Sequence, residues 1–324
     1  MALAFLLIAI GFVLLIKGAD FLVNGASSLA KRYHISDIAI GLTVVAMGTS
    51  APELVVNMIS GSSGENDDIV FGNIIGSNIF NMFLILGIAG VIYPLTVQKN
   101  ALWKEVPYSL LATVVLFVLV NDVMFFGSSN NALSLTDGII LLVMFGGFIY
   151  YVFQNMQRTG DLGGDIDEIE MYGSGKTAIM IICGMGGLAY GGHLIVTNAI
   201  KVAEHFHVSQ KIIGLTILAA GTSLPELATT AVAAFHKKSD LAVGNIVGSN
   251  IFNILLVLGA TATLNAPIAF DIDLNIDIFI VMIGTVMLFV FMFTLQKYKL
   301  DREEGALYLV GFIAYSVYLY MVRL

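Results

Sequence analysis

Apolar runs long enough to cross a lipid bilayer recur along almost the whole chain. A membrane-spanning helix needs about 17 to 25 mainly apolar residues. Of the 324 residues, 58% are hydrophobic and only 12% are charged, about half the charged share of a soluble domain. The sequence therefore predicts an all-α integral membrane protein. The ten predicted spans are 2–23, 37–60, 69–94, 105–121, 133–154, 177–200, 211–235, 241–263, 275–296 and 305–322.

Composition and spacing exclude several other classes of protein. The lone Cys183 can form neither an intrachain disulfide nor a metal site of several thiolates. The chain contains no Ser-His-Asp arrangement, no phosphate-binding glycine loop and no basic nucleic-acid patch. We therefore expect no enzyme activity and no cofactor. The lipid bilayer is the expected environment, and neither nucleic acid nor an obligatory protein partner is indicated.

Two blocks of sequence occur twice in the same order. GLTVVAMGTSAPEL (41–54) and GLTILAAGTSLPEL (214–227) share ten of fourteen residues, and GNIIGSNIFNMFLILG (72–87) and GNIVGSNIFNILLVLG (244–259) share twelve of sixteen. Five predicted spans lie in each half. Because five is odd, the second copy must enter the membrane in the opposite orientation. The sequence thus predicts two inverted five-helix repeats. Their boundaries are 1–154 and 177–324, with an acidic cytoplasmic linker at 155–176.

Oxygen-bearing side chains share one helix face in each repeated block. Positions i, i+3, i+4 and i+7 lie on the same face of a helix. That spacing relates Ala46, Thr49, Ser50 and Glu53 in the first copy and Ala219, Thr222, Ser223 and Glu226 in the second. The following helices carry polar residues at i, i+4 and i+8, namely Asn73, Ser77 and Asn81, and Asn245, Ser249 and Asn253. Four helices are therefore expected to turn oxygen atoms toward one centre.

A proline interrupts each of the two motifs. Pro52 and Pro225 have no N–H, so the carbonyls of Gly48 and Gly221 lose their helical partner and the nearby backbone can bend. Irregular backbone at membrane depth is tolerated only where it is buried in protein or lines a cavity. The prolines therefore predict helix kinks that expose further oxygen ligands.

The duplicated glutamates, Glu53 and Glu226, predict a cation site. A carboxylate inside the membrane costs about 2.5 to 3.5 kcal/mol or more, so a functional role is the first reading. Oxygen ligands without His or Cys suit Ca²⁺ and Na⁺-like ions rather than zinc or copper. An empty site would leave two buried anions uncompensated. Switching between inward and outward states should therefore be favoured only with cations bound, which is the behaviour of an antiporter.

Basic residues predict the orientation of the chain, since cytoplasmic loops are enriched in Lys and Arg. With the N-terminus outside, the inner loops hold eleven basic residues and the outer side holds three. We therefore expect a multi-pass protein of the plasma membrane, the inner membrane in a Gram-negative cell, with both termini outside.

At the repeated motifs the sequence closely resembles the calcium:cation antiporter superfamily, specifically prokaryotic sodium/calcium exchangers. The resemblance rests on the paired G-T-S-x-P-E and G-S-N-I-F-N segments and covers nearly the whole chain. It implies exchange of Ca²⁺ for Na⁺ at one central site, with the first and sixth helices sliding past the other eight. Carried over by position, the implied side-chain ligands are Thr49, Ser50, Glu53, Ser77, Asn81, Thr222, Ser223, Glu226, Ser249 and Asn253, with the main-chain carbonyls of Ala46 and Ala219.

Other functions stay open at this point. Many relatives have Asp at the position of Asn253, which leaves the ion stoichiometry and any K⁺ requirement undecided. In a H⁺/Ca²⁺ exchanger the two glutamates would titrate. A cation channel is disfavoured because no continuous polar stripe runs along several helices. A membrane scaffold without transport would leave the duplicated glutamate motif unexplained.

Overall fold

The computed structural model describes residues 1–63, 67–156, 171–206 and 219–322. Within these ranges the chain is almost entirely helical, and eight helices are long and apolar enough to cross a membrane. A ninth span results if Asp37–Thr49 and Ala51–Ser62, which meet at a bend of 45°, are counted as one. The predicted all-helical, multi-pass membrane protein is therefore confirmed. Parts of two predicted elements, the linker 155–176 and the seventh span 211–235, lie outside the described residues.

The described residues form helices of very different lengths and four short strands. The helices are α1 (Ala2–Tyr33), α2 (Asp37–Ile40), α3 (Ala46–Thr49), α4 (Ala51–Ser63), α5 (Asp67–Ile79), α6 (Leu86–Ile92), α7 (Lys99–Val120), α8 (Asp122–Phe126), α9 (Leu135–Met156), α10 (Ser174–His205), α11 (Ala219–Thr222), α12 (Leu224–Phe235), α13 (Ser239–Ile251), α14 (Gly259–Asn265), α15 (Asn275–Phe291) and α16 (Arg302–Val322). The short strands are β1 (Leu95–Thr96), β2 (Ala132–Leu133), β3 (Ile268–Ala269) and β4 (Lys299–Leu300). β1 pairs antiparallel with β4, and β2 with β3. Both strand pairs therefore join one half of the chain to the other.

Helices α1 and α10 pack along each other through glycine. Each has 32 residues and is about 48 Å long at 1.5 Å per residue, which exceeds the hydrocarbon core of about 30 Å. A Cβ atom added at Gly18 would lie 2.8 Å from the backbone nitrogen of Leu188. One added at Gly184 would lie 2.7 Å from the backbone nitrogen of Leu22. The two backbones are therefore in direct contact, and no side chain fits between them at these points.

A polar cluster also connects α1 to the turn between α12 and α13. His236 Nε2 lies 2.9 Å from Asp20 Oδ1, and Lys238 Nζ donates to Asn24 Oδ1 at 3.2 Å. Burial lowers the pKa of Lys238, while the carboxylates of Asp37 and Asp20 act in the opposite direction. Charged and polar groups thus link α1 to the second half of the chain.

Both GTSxPE motifs break at a serine. Helix α3 ends at Thr49 and α4 begins at Ala51, while Ser50 between them has φ −83° and ψ 4°. Ser223 separates α11 from α12 with nearly the same angles, φ −85° and ψ 4°. The prolines of both motifs lie in the first turn of the new helix, where a missing N–H breaks no helical hydrogen bond. Each motif therefore starts a helix inside an apolar segment.

The helices after the motifs each contain a wide turn. Helix α5 passes through a π-helical segment, Phe80–Ile85, into α6, and α13 passes through Phe252–Leu258 into α14. Such segments are often found at functional sites. Asn81 and Asn253 each occupy the second position of one of them.

Among the membrane spans that the structure describes, α13 with its continuation is the most buried. The apolar part of the span Ser239–Asn265 is almost entirely buried, whereas that of Arg302–Val322 is mostly exposed. Outer helices such as α16 therefore expose apolar side chains, as lipid contact requires. The polar residues of the two motifs and of α5 and α13 lie in the protected interior.

Candidate ion-binding site

The carboxylates of Glu53 and Glu226 are fully buried, each with 0% of its surface exposed. Each glutamate is the third residue of the helix that begins after the serine break. The N-terminus of a helix carries partial positive charge and stabilises an anion by about 0.3 to 2 kcal/mol. The break therefore offsets part of the cost of burying each carboxylate. The two charges nevertheless repel each other.

The two motifs exchange hydrogen bonds through their serines. Ser50 Oγ donates to Glu226 Oε1 at 3.1 Å, and Ser223 Oγ donates to Glu53 Oε1 at 3.4 Å. About 170 residues of sequence separate the partners in each bond. Each glutamate thus accepts from the serine at the break of the opposite half, which joins the two motifs at one centre.

Serines from the neighbouring helices complete the contacts of the glutamates. Ser77 of α5 donates to Glu53 Oε1 at 3.4 Å, and Ser249 of α13 donates to Glu226 Oε1 at 3.5 Å. Helix α13 can approach because Gly248 has no side chain. A Cβ atom there would lie 2.8 Å from the Cα of Leu42. The predicted convergence of side chains from these helices is therefore present in the structure.

The threonines of both motifs bond to asparagines of the opposite half. Thr49 Oγ1 donates to Asn245 Oδ1 at 3.2 Å, and Thr222 Oγ1 donates to Asn73 Oδ1 at 3.3 Å. All ten predicted side-chain ligands are buried. The Ala46 carbonyl accepts from the backbone N–H of Ser50 at 2.9 Å and from Thr49 Oγ1 at 3.4 Å. Ala219 is the first residue of α11.

Four buried oxygen atoms at this centre have no hydrogen-bond partner within the described residues: Glu53 Oε2, Glu226 Oε2, Asn81 Oδ1 and Asn253 Oδ1. A buried acceptor left unsatisfied costs about 1 to 3 kcal/mol, and more if it is charged. The four atoms form two pairs at equivalent positions of the two sequence copies. They are all acceptors, and acceptors are the groups that a cation would satisfy.

The oxygen ligands at this centre suit hard cations. The two carboxylates can balance at most two positive charges. Among the described residues, no three or more His, Cys, Asp or Glu side chains come together as a metal site. The centre instead combines two carboxylates with neutral hydroxyl and amide oxygens. Such oxygen ligands are typical of Ca²⁺ and unlike those of zinc or copper.

Four further polar residues, which are not among the predicted ligands, contact this network. Asn73 Nδ2 donates to Asn57 Oδ1 at 2.7 Å, and Asn245 Nδ2 donates to Thr230 Oγ1 at 3.0 Å. Both acceptors lie four residues after a motif glutamate, so the helix-face rule could have found them. The other two, Asn78 and Asn250, bond to Asn253 and Asn81. Each directly follows a predicted serine ligand and so lies off the predicted face.

Comparison with known proteins places the chain in a family. The sodium/calcium exchanger protein family matches residues 3–154 and 176–321. The protein CaxA of Alkalimonas amylolytica is 35% identical over 330 residues, which is 99% of each chain. The inner membrane protein YrbG of Escherichia coli (strain K12) is 34% identical over 335 residues, 99% of this chain and 98% of its own. The solved structure of the sodium-calcium exchanger NCX_Mj soaked with zero Na⁺ and Ca²⁺ has a TM-score of 0.82 at 29% identity, over 98% of this chain and 99% of that one. Since these matches extend over nearly the full length, the chain belongs to the sodium/calcium exchanger protein family.

Proposed function

We propose that this protein is a secondary active antiporter that exchanges Ca²⁺ for Na⁺ at a central site between its two GTSxPE motifs. The observation that carries the proposal is the set of four unpartnered acceptor oxygens, on Glu53, Glu226, Asn81 and Asn253. Family membership and the likeness to NCX_Mj, a sodium-calcium exchanger, support the same activity. No resident cofactor is needed, because Ca²⁺ and Na⁺ are the transported ions.

The proposed ligands are those that the resemblance implies. They are the side chains of Thr49, Ser50, Glu53, Ser77, Asn81, Thr222, Ser223, Glu226, Ser249 and Asn253, with the carbonyls of Ala46 and Ala219. Two carboxylates balance one Ca²⁺ or two Na⁺. Since Ca²⁺ takes about 6 to 8 oxygens, the neutral groups supply the remaining ligands. A cation-free site would hold two repelling anions in a low-dielectric interior, which disfavours switching without a bound ion.

We further infer ten membrane helices in two inverted five-helix repeats. The matching breaks at Ser50 and Ser223 and the matching wide turns at Phe80–Ile85 and Phe252–Leu258 support a structural repeat. An odd number of spans in each half requires opposite orientations in the membrane. The basic residues of the loops support a location of both termini outside the cell.

For alternating access we propose that α1 and α10 slide as a pair over the remaining helices. The structure offers support in the position of α10 over both motifs. A Cβ atom added at Gly48 would lie 2.6 Å from Met185 Cε, and one added at Gly221 would meet Val196 Cγ2. Because α10 covers both motifs next to their breaks, displacement of this helix would open one side of the site and close the other.

Transport into proteoliposomes tests this function. We expect an outward Na⁺ gradient to drive accumulation of ⁴⁵Ca²⁺ inside the vesicles. No accumulation is expected when K⁺ or an inert cation replaces Na⁺. Accumulation driven by a proton gradient without Na⁺ would indicate the H⁺/Ca²⁺ alternative, and a K⁺ requirement would indicate co-transport. Ca²⁺ movement that needs no counter-ion would indicate a channel and contradict the proposal.

Orientation can be tested with a single cysteine. In a Cys183→Ala background, Gly164→Cys lies in the predicted cytoplasmic linker and is expected to react with impermeant maleimide only after the cells are opened. The positive-inside rule gives this expectation. A cysteine replacing Ser129, in a loop predicted to be outside, serves as the opposite control. Labelling of Gly164→Cys in sealed cells would contradict the proposed topology.

Asn253→Asp is expected to raise the apparent affinity for Ca²⁺ by about tenfold. The substitution adds a third negative charge to a site that otherwise holds two, so it should also make transport sensitive to proton concentration. Equilibrium ⁴⁵Ca²⁺ binding and flux against pH provide the measurement. Asn130→Asp adds the same charge on an exposed loop and should change neither. Equal affinities and pH profiles for Asn253→Asp and wild type would show that residue 253 does not face the ion.

A further inference from the structure

Two asparagines between α5 and α13 contact the proposed amide ligands. Asn78 and Asn250 are buried, with 1% and 0% of their surfaces exposed. Asn253 Nδ2 donates to Asn78 Oδ1 at 3.0 Å, and Asn81 Nδ2 donates to Asn250 Oδ1 at 3.0 Å. Each ligand amide therefore directs its N–H₂ group to an asparagine of the opposite half.

A backbone carbonyl fixes the orientation of the Asn78 amide. Asn78 Nδ2 donates to the carbonyl oxygen of Asn250 at 3.3 Å. Because a carbonyl oxygen can only accept, the nitrogen end of Asn78 must face it, and the oxygen end faces Asn253. Asn253 must then present its own Nδ2 to Asn78. Its Oδ1 atom, which has no partner among the described residues, consequently points away from Asn78.

We propose that Asn78 is a positioning residue that makes Asn253 an oxygen ligand rather than an N–H donor toward the transported cation. This inference rests on the proposed function. The two ends of an amide are similar in size but opposite in polarity. A half-turn of the Asn253 amide would direct two N–H groups at the ion and repel it. A carboxylate presents oxygen in either orientation, so a chain with Asn at this position depends on a constraint that one with Asp does not.

The equivalent arrangement around Asn81 lacks the backbone anchor. Asn250 Oδ1 accepts from Asn81, but Asn250 Nδ2 has no partner within the described part of the chain. The Asn250 amide can therefore turn at smaller cost. Asn250→Ala also keeps the carbonyl that anchors Asn78. We accordingly expect Asn250→Ala to weaken ion binding less than Asn78→Ala does.

A double-mutant cycle tests the role of Asn78. Ca²⁺ dissociation constants are measured by equilibrium ⁴⁵Ca²⁺ binding for wild type, Asn78→Ala, Asn253→Asp and the double variant. Asn78→Ala is expected to raise the dissociation constant about tenfold in the wild-type background. In the Asn253→Asp background the same substitution should change it less than about twofold. Asn78→Leu, which better preserves the side-chain volume, is measured in parallel so that a cavity cannot explain the result.

The control variant is Asn121→Ala, which removes another amide pair, in which Asn121 is buried. Asn121 and Asn275 donate to each other at 2.9 and 2.8 Å, outside the network of the motif residues. It should leave Ca²⁺ binding unchanged. Equal losses from Asn78→Ala in both backgrounds, or no loss in the wild-type background, would overturn the positioning role alone. Wild-type protein that binds neither Ca²⁺ nor Na⁺ would instead overturn the proposed function, and the positioning role with it.

Discussion

Glu53→Gln and Glu226→Gln are each expected to abolish Na⁺-dependent Ca²⁺ transport, with a loss of about a hundredfold or more. Each substitution leaves the site with one negative charge, too few to balance a divalent ion. The new amide also replaces one acceptor oxygen by an N–H donor. The measurement is ⁴⁵Ca²⁺ uptake into proteoliposomes at matched protein content.

Measurements of thermal stability distinguish variants that no longer bind the ion from variants that no longer fold. Without cations, each glutamine variant should be at least as stable as wild type, because repulsion between two buried carboxylates is removed. Added Ca²⁺ should stabilise wild type and leave the variants unchanged. Glu105→Gln provides the matched control, since Glu105 is also buried but accepts from Tyr151 at 2.8 Å, apart from the motif network. Wild-type transport by either motif variant would refute the assignment of these glutamates to the site.

Gly184→Val is expected to reduce exchange strongly, by about tenfold or more, while ion binding is retained. A Cβ atom at Gly184 would lie 2.7 Å from the backbone nitrogen of Leu22 and 2.9 Å from the carbonyl oxygen of Gly18. Because neither atom is the end of a flexible side chain, α1 and α10 must separate. A pair that is forced apart can no longer slide as a unit over the two motifs.

Gly186→Val is the matched control on the same helix, because a Cβ atom there meets nothing within 4 Å among the described residues. Both variants change helix propensity by the same amount, so any difference between them reports on the helix contact. Flux is compared with equilibrium ⁴⁵Ca²⁺ binding for each. Equal flux in the two variants would argue against movement of α1 and α10 as a pair. Parallel loss of flux and binding in Gly184→Val would show that the contact maintains the site instead.

Much of the fold could be predicted because each membrane helix is recognisable from its own continuous stretch of apolar residues. Apolar length predicted an all-helical protein with several membrane spans, which the structure has. The inverted repeat inferred from the duplicated blocks stays a prediction. Residue spacing was also enough to bring Thr49, Ser50 and Glu53 into one polar network, although the helix breaks at Ser50. The proline rule predicted a kink but could not locate it. Proline disfavours helical geometry at the preceding residue, and the structure breaks one residue earlier still, at Ser50 and Ser223.

The wide turns and the asparagine network could not be predicted from helix periodicity. A turn closed by i→i+5 hydrogen bonds shifts the register of the residues that follow it, so the spacing from Ser77 to Asn81 only approximates their relative direction. Asn78 lies one position after Ser77 and thus about 100° around the helix from it. Its importance comes from the contact between α5 and α13, which depends on how distant segments pack.

The position of the bound ion tests the central claim most directly. Long-wavelength anomalous diffraction from crystals grown with Ca²⁺ locates the ion without reference to transport. We expect one Ca²⁺ peak between the motifs, with carboxylate oxygens of both Glu53 and Glu226 at about 2.3 to 2.6 Å, and no peak at that position in Glu226→Gln crystals. Ca²⁺ bound elsewhere, or a peak that contacts neither glutamate, would contradict a cation site built from the two repeated motifs.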